Sequence, residues 1–196
     1  SSALRPLVMA RPAEPALHHG PTDPSAQALA GFGGVLCGVL GAIDEGYRAG
    51  TLARALKAAR PSRHGRQRTL SLFNCYVRHY REPLQRALDG LHEAHAEALA
   101  CGDLEYAAYS LAAAIQYAVP LADDFEALTQ RMRAQLLQLE QTGQQQALQY
   151  SYMALQAVTR LCEPSSAPTA LDGEHYREET MLEAHLRENH LTAVCL

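Results

Sequence analysis

Residues 83–115, PLQRALDGLHEAHAEALACGDLEYAAYSLAAAI, constrain the fold most: two helix-patterned segments are joined by only Cys101-Gly102-Asp103. In the first segment, Leu84, Leu88, Leu91, His95, Ala98 and Leu99 recur at helical spacing and predict one face for burial. Gly102 tolerates a left-handed helix end without a side-chain clash, and Asp103 can accept from the open amides of the next helix. In the second segment, Ala107, Leu111 and Ala114 set small and apolar groups on one side, where another helix can come close. So short a joint makes the two helices fold back on each other.

The rest of the chain favours the same geometry. Ala and Leu make up roughly a third of its 196 residues, Val and Ile are sparse, and Trp is absent, so strand-like alternation is rare. Helices are expected at about 25–43, 45–60, 66–81, 83–101, 103–119, 123–141, 144–162 and 174–190. Pro83 suits a first helical turn, and Asp123 with Glu126 reads as a capping box. Five prolines in the first 24 residues predict a Pro-rich lead over 1–24, ahead of a helical domain over 25–196. The segment from Cys162 to Gly173 reads as a loop.

The formal charge of −4 and pI near 6.1 give no broad basic field for nucleic acid or an anionic membrane. A local cluster of Arg60, Arg63, His64, Arg66 and Arg68 around Pro61 reads as a solvated interhelix loop. The apolar run from Ala28 to Ile43 has 16 residues, short of the roughly 20 needed to span a bilayer, and reads as a buried helix. On it, Ala30, Gly34, Cys37 and Gly41 are expected to line one closely packed side. The five cysteines form no CxxC pair and read as buried free thiols in a reducing cytoplasm.

Candidate chemistry is thin. His92 and His95 lie three apart, whereas the HExxH zinc motif needs its histidines four apart with a glutamate base between them. Gly31-Phe32-Gly33-Gly34 lacks the lysine and the preceding strand of a phosphate loop. His185 and His190, with Glu183 and Glu188, read as solvated. The tyrosines at 76, 80, 106, 109, 117, 150 and 152 are expected mostly to pack with hydroxyls at a polar edge. Some of them would offer a groove to a ligand or peptide: Asn74, Arg78, His79, Tyr109, Gln116 and Tyr117 are its candidate residues. No catalytic residue, metal ligand or cofactor is assigned.

The hairpin carries the small-residue signature of a tetratricopeptide unit. A second turn, Ile43 to Gly50, leads to Ala49 in the place of Ala107, but 58 residues away rather than one period of about 34, so the array must be irregular. Three blocks, LCGVLGAIDEGYRAGTLARAL, FNCYVRHYREPLQRALDGLHEAHAEALACGDLEYAAYSL and LDGEHYREETMLEAHLRENH, resemble in order the helical region of very large bacterial signalling proteins. In those proteins a serine/threonine-kinase-like domain and a predicted AAA-type ATPase precede that region, and GAF and histidine-kinase modules often follow it. The chain departs from the pattern at Tyr80, where Trp is expected, and at Ala49, where an aromatic is expected.

The resemblance implies an all-α superhelical stack of irregular tetratricopeptide-like helix pairs, excised from a larger cytoplasmic polypeptide. It implies a noncatalytic regulatory module whose partners are adjoining domains of that polypeptide or a protein segment. The alternative is a small-molecule-sensing domain, and a second copy of the chain is a further candidate partner. The kinase and ATPase motifs of the family lie outside these residues. Neither nucleic-acid binding nor membrane insertion is expected.

Overall fold

The computed structural model describes residues 23–59, 65–162 and 171–187. The architecture is all-α: eight α-helices and no strand among the described residues. The chain divides between Ala113 and Ala114 into two compact units. Residues 1–22 of the expected Pro-rich lead, Arg60, Pro61, Arg63, His64, Glu188, His190 and Cys195 lie outside the described residues, while residues 23 and 24 of that lead already belong to the first helix.

The first unit contains α1 (Asp23–Gly38), α2 (Ile43–Ala58), α3 (Arg66–Tyr76) and α4 (Leu84–Ala100), with α5 (Leu104–Ala118) beginning in it. Helix α1 packs against α2 and α3, and α3 packs against α4. Contact between α1 and α2 is close because a Cβ on Gly33 would lie 2.7 Å from the Gly46 carbonyl oxygen and 3.2 Å from the Gly50 amide nitrogen. Gly50 in turn faces Phe73 and Val77 of the next helix layer, both wholly buried. Backbones this near gain dispersion contacts that offset the weak helix propensity of glycine.

The structure revises several expectations here. The apolar run is not one helix to residue 43, because α1 stops at Gly38 and Gly41 takes a positive φ of 67° in the turn. Gly41 therefore lies off the helix face, and Val39 and Leu40 are left 68% and 65% exposed. In α4 the buried face is Ala87, Gly90, Leu91, Ala94 and Ala98, rotated from the expected one, while Leu99 is exposed. Gly90 explains the rotation: it lies directly against the Asn74 side chain, where a larger residue has no room. The Ala107, Leu111 and Ala114 face of α5 is buried as expected.

The α4–α5 joint follows its sequence closely. Gly102, at φ 75°, lets its amide donate to Leu99 O (3.1 Å) and the Asp103 amide donate to Ala98 O (2.9 Å), a Schellman closure. His95 then meets the Ala107 carbonyl through Nδ1 at 2.8 Å, tying α4 to α5.

The second unit contains the end of α5, α6 (Phe125–Thr142), α7 (Gln145–Cys162) and α8 (Glu178–Arg187). Helix α6 is capped by Asp124, not Asp123: its carboxylate accepts from the Glu126 and Ala127 amides at 2.9 and 3.1 Å. Helices α6 and α7 pack as a hairpin over Leu128, Met132, Leu136, Leu139, Leu155 and Val158. Asp172 caps α8 from six residues upstream, accepting from the Glu178 amide at 2.9 Å. His185 is buried against Tyr176 with near-parallel rings, so the expectation that it is solvated fails. Tyr176 also packs with Met153 of α7 and Met181 of α8, so the imidazole lies against the edge of an apolar cluster.

Candidate functional site

Helix α3 carries a polar cluster at each end. At its first turn Gln67 and Arg68 both donate to the same Asp103 oxygen, at 2.9 and 2.6 Å. The other oxygen of Asp103 accepts the Tyr106 amide at 3.4 Å, so one carboxylate starts α5 and joins it to α3. The Arg68 guanidinium lies 4.7 Å from the centre of the Tyr106 ring. The Tyr106 hydroxyl accepts from Gln27 of α1 at 3.0 Å, and the ring meets Tyr109 edge-on at 6.2 Å.

Burial alone would push the Asp103 carboxyl up, but the Arg68 and Gln67 hydrogen bonds, the Tyr106 amide and the Arg68 charge hold it below the usual carboxylate range. The Asp103 hydrogen bond raises Arg68 in return, and burial raises Tyr106. A cleft of about 560 Å³ opens here between Pro24, Gln27, Gln67, Arg68, Asp103 and Glu105. Helix first turns attract anions, but Asp103 already occupies this field.

Past the last turn of α3, a 3-10 turn (Arg78–Tyr80) leads into α4. Glu82 accepts from Arg78 at 3.0 Å and from the Tyr47 hydroxyl of α2 at 2.8 Å, with Arg86 at 3.6 Å. Arg78 also donates to Asn74 Oδ1 at 3.1 Å, and Asn74 donates to the Leu70 carbonyl at 2.8 Å. Burial opposes ionisation of Glu82, yet the Tyr47 and Arg78 hydrogen bonds and the two arginine charges keep its carboxyl low. The Glu82 hydrogen bond in turn raises the Tyr47 phenol, with burial adding to it.

Beside this cluster an apolar and aromatic face stays open. Tyr76 is 54% exposed, Tyr80 is 37% exposed, and the His79 ring lies tilted against Tyr80 with centres 4.4 Å apart. The Tyr80 hydroxyl lies 3.3 Å from the place a Cβ on Gly38 would take, so this face continues into exposed Val39 and Leu40. Its rim is charged: Arg81 pairs with Asp44, and Arg48 with Glu45. Burial holds His79 below the ordinary imidazole range, favouring the neutral ring.

The six candidate groove residues thus separate. Asn74 is buried and structural, Arg78 is held by Glu82, and His79 belongs to the open face. Tyr109 sits with Tyr106 in the Asp103 cluster. Gln116 and Tyr117 belong to the second unit, where Gln116 lines an apolar pocket of about 250 Å³ with Val119, Tyr150, Met153, Val158 and Leu171.

The expected polar edge for the tyrosines is met at Tyr150, which accepts from Gln146 at 2.8 Å, and at Tyr152, which donates to Glu140 at 2.7 Å. Of the cysteines, Cys37 is buried, but Cys101 and Cys162 are exposed because each falls at a helix end. Burial pushes the Cys75 thiol up to about 11, which keeps it protonated and poorly nucleophilic at neutral pH. His92 is exposed, and among the described residues no three His, Cys, Asp or Glu side chains are grouped to hold a metal.

Sequence reasoning did not find Glu82, Tyr47, Gln27 or the Val39–Leu40 face. For Glu82 the signal was present: an acid four residues after Arg78, next to Pro83, is spaced for an ion pair along one helical face. Compared with family models, curated proteins and solved structures, the chain matches none.

Proposed function

We propose that the chain is a noncatalytic recognition module that relays contact between adjoining domains of a bacterial multidomain signalling polypeptide. The observation that carries this reading is the open face of Val39, Leu40, Tyr76, His79 and Tyr80. Apolar and aromatic side chains grouped on a surface and rimmed by charge are what a protein interface uses as its centre. The face is rigidly backed, because the Glu82 cluster fixes the turn behind it to α2. The strongest polar clusters are satisfied internally by their own arginines and tyrosines, as suits positioning more than acid–base work.

The helix contacts of the first unit support the tetratricopeptide-like part of the reading. Helix α1 touches its own hairpin partner α2 and also α3, the first helix of the next pair, as neighbours do in stacked helix pairs. Pull-down of the purified kinase-like, ATPase and output domains by this chain tests the relay. One domain should be retained, and a Val39→Ser/Leu40→Ser variant of unchanged helicity should lose it. Retention of none, or retention undiminished by that variant, would sink the idea.

The pocket beside Gln116 favours a second reading, a small-molecule sensor. Its apolar lining with one amide matches the chemistry of ligand sites, although its volume is just below their usual range of roughly 300–1,000 Å³. A thermal shift given by an apolar metabolite and abolished by Ala157→Phe would favour the sensor over the relay.

A further inference from the structure

The open aromatic face runs along the end of α1. A Cβ on Gly34 would lie 2.7 Å from the Tyr76 Cβ, and one on Gly38 would lie 3.3 Å from the Tyr80 hydroxyl, so the two tyrosines follow successive turns of that helix. Val39 and Leu40 come next, both largely exposed. The ion pairs of the rim, Arg81 with Asp44 and Arg48 with Glu45, cancel in charge, so the face selects for apolar surface more than for net charge.

The same chain carries a segment with matching chemistry. Ahead of α1, Pro12 with Pro15 and Pro21 with Pro24 have the PxxP spacing. That spacing returns both rings to one side of a polyproline helix of three residues per turn, the form in which Pro-rich segments dock on aromatic grooves. Reach selects the first pair. Pro24 is already part of α1, and Pro21, two residues before Asp23, stays within about 7 Å of the helix start. Tyr76 stands beside Gly34, about 17 Å along α1 from Asp23 at the usual helical rise, and Tyr80 stands beside Gly38, about 22 Å along it. Pro15 precedes Asp23 by eight residues, which extend to at most about 26–29 Å, so Pro12 and Pro15 turned back along α1 reach both tyrosines.

We propose that the chain's own Pro-rich lead docks on this face through Pro12-Ala13-Glu14-Pro15, with Pro15 on Tyr76 and Pro12 on Tyr80. Met9, Val8 and Leu7, the uncharged residues next up the lead, then extend the contact over Val39 and Leu40. The inference rests on the reading of the face as a docking surface, and it adds a regulation to that reading: the lead and the partner domain compete for the same rings. Because the lead is tethered, its effective concentration at the face is on the order of millimolar, so a contact too weak to hold a separate peptide is still populated.

The test is amide NMR of the full chain, comparing the wild type with Pro12→Ala/Pro15→Ala. Signals of residues 39–41 and 76–80 should shift while those of residues 101–106 hold still, and Tyr80→Ala should shift the Met9, Arg11 and Ala13 signals in return. Capture of the kinase-like, ATPase or output domain should tighten about threefold or more in the proline variant, because the competing lead no longer occupies the face. Absence of shifts at residues 39–41 and 76–80 would overturn the proposal. So would shifts that fade on dilution, which would assign the contact to the lead of a second copy. Shifts as expected with no domain captured would support the lead's contact and sink the relay, whereas capture that depends on Leu40 without any shift would sink the lead's contact and keep the relay.

Discussion

The two ends of α3 use the same parts to different effect. At its start Asp103 gathers Arg68, Gln67 and the Tyr106 amide, and beyond its end Glu82 gathers Arg78, Arg86 and Tyr47. Each is a carboxylate held by an arginine and neutral donors from a different helix. At the Asp103 end the tyrosine ring is folded onto the arginine, whereas at the Glu82 end the tyrosines beside the cluster remain partly exposed. The first arrangement fastens three helices. The second reaches α2 through Tyr47, α3 through Asn74 and α4 through Arg86, and it backs a surface.

The pairs also differ in depth, which orders the expected losses. Glu82 and Arg78 side chains are each 16% exposed, against 10% for Asp103 and 39% for Arg68. Glu82→Ala leaves a mostly buried guanidinium without its partner and should cost about 3 kcal/mol in denaturant unfolding. Asp103→Ala removes a helix cap and a charge-assisted hydrogen bond to a more solvated arginine, so about 2 kcal/mol is expected. Reversal of that order would mean that the cap outweighs the depth of the ion pair.

Acid should strain both ends together. Both carboxyls titrate lower in the folded chain than when unfolded. The stability they supply is therefore complete above the unfolded carboxylate range, near pH 4, and is lost as pH falls through their folded values. Chemical denaturation from pH 6 down to pH 2 should show a falling limb, and Glu82→Gln should flatten it. His79 adds a separate effect: its depressed imidazole resists a proton that the unfolded chain accepts, so stability should begin to fall below about pH 6.5, and His79→Asn should remove that step.

The smallest effect on stability is expected where the effect on binding is largest. Leu40→Ser removes an exposed side chain and should change unfolding free energy by no more than about 0.5 kcal/mol, while weakening capture of the proposed partner domain. A large loss of stability would instead make Leu40 part of the core.

Much of this architecture was legible in the sequence, and the misses have physical causes. Helical class, the Gly102 joint and the Ala107 face follow from local rules, because spacing and turn chemistry act within a few residues. The buried face of α4 was misjudged because leucine content does not reveal that Gly90 must sit against Asn74, which depends on a neighbour 16 residues away. The candidate groove separated for a similar reason. Asn74 and Arg78 lie on one helical strip, but it is Glu82 that turns Arg78 inward, leaving His79 half-buried beside Tyr80. The exposed Val39 and Leu40 were hidden inside an apolar run, where only the positive φ at Gly41 ends the helix.

Hydrogen–deuterium exchange of the chain, with and without the kinase-like, ATPase and output domains proposed as its partners, tests the central claim most directly. Binding should slow exchange in residues 39–44 and 76–82 and leave residues 101–106 unchanged. Protection confined to residues 101–106, or no protection with any of those domains, would contradict the proposal that the Glu82 end is the docking face.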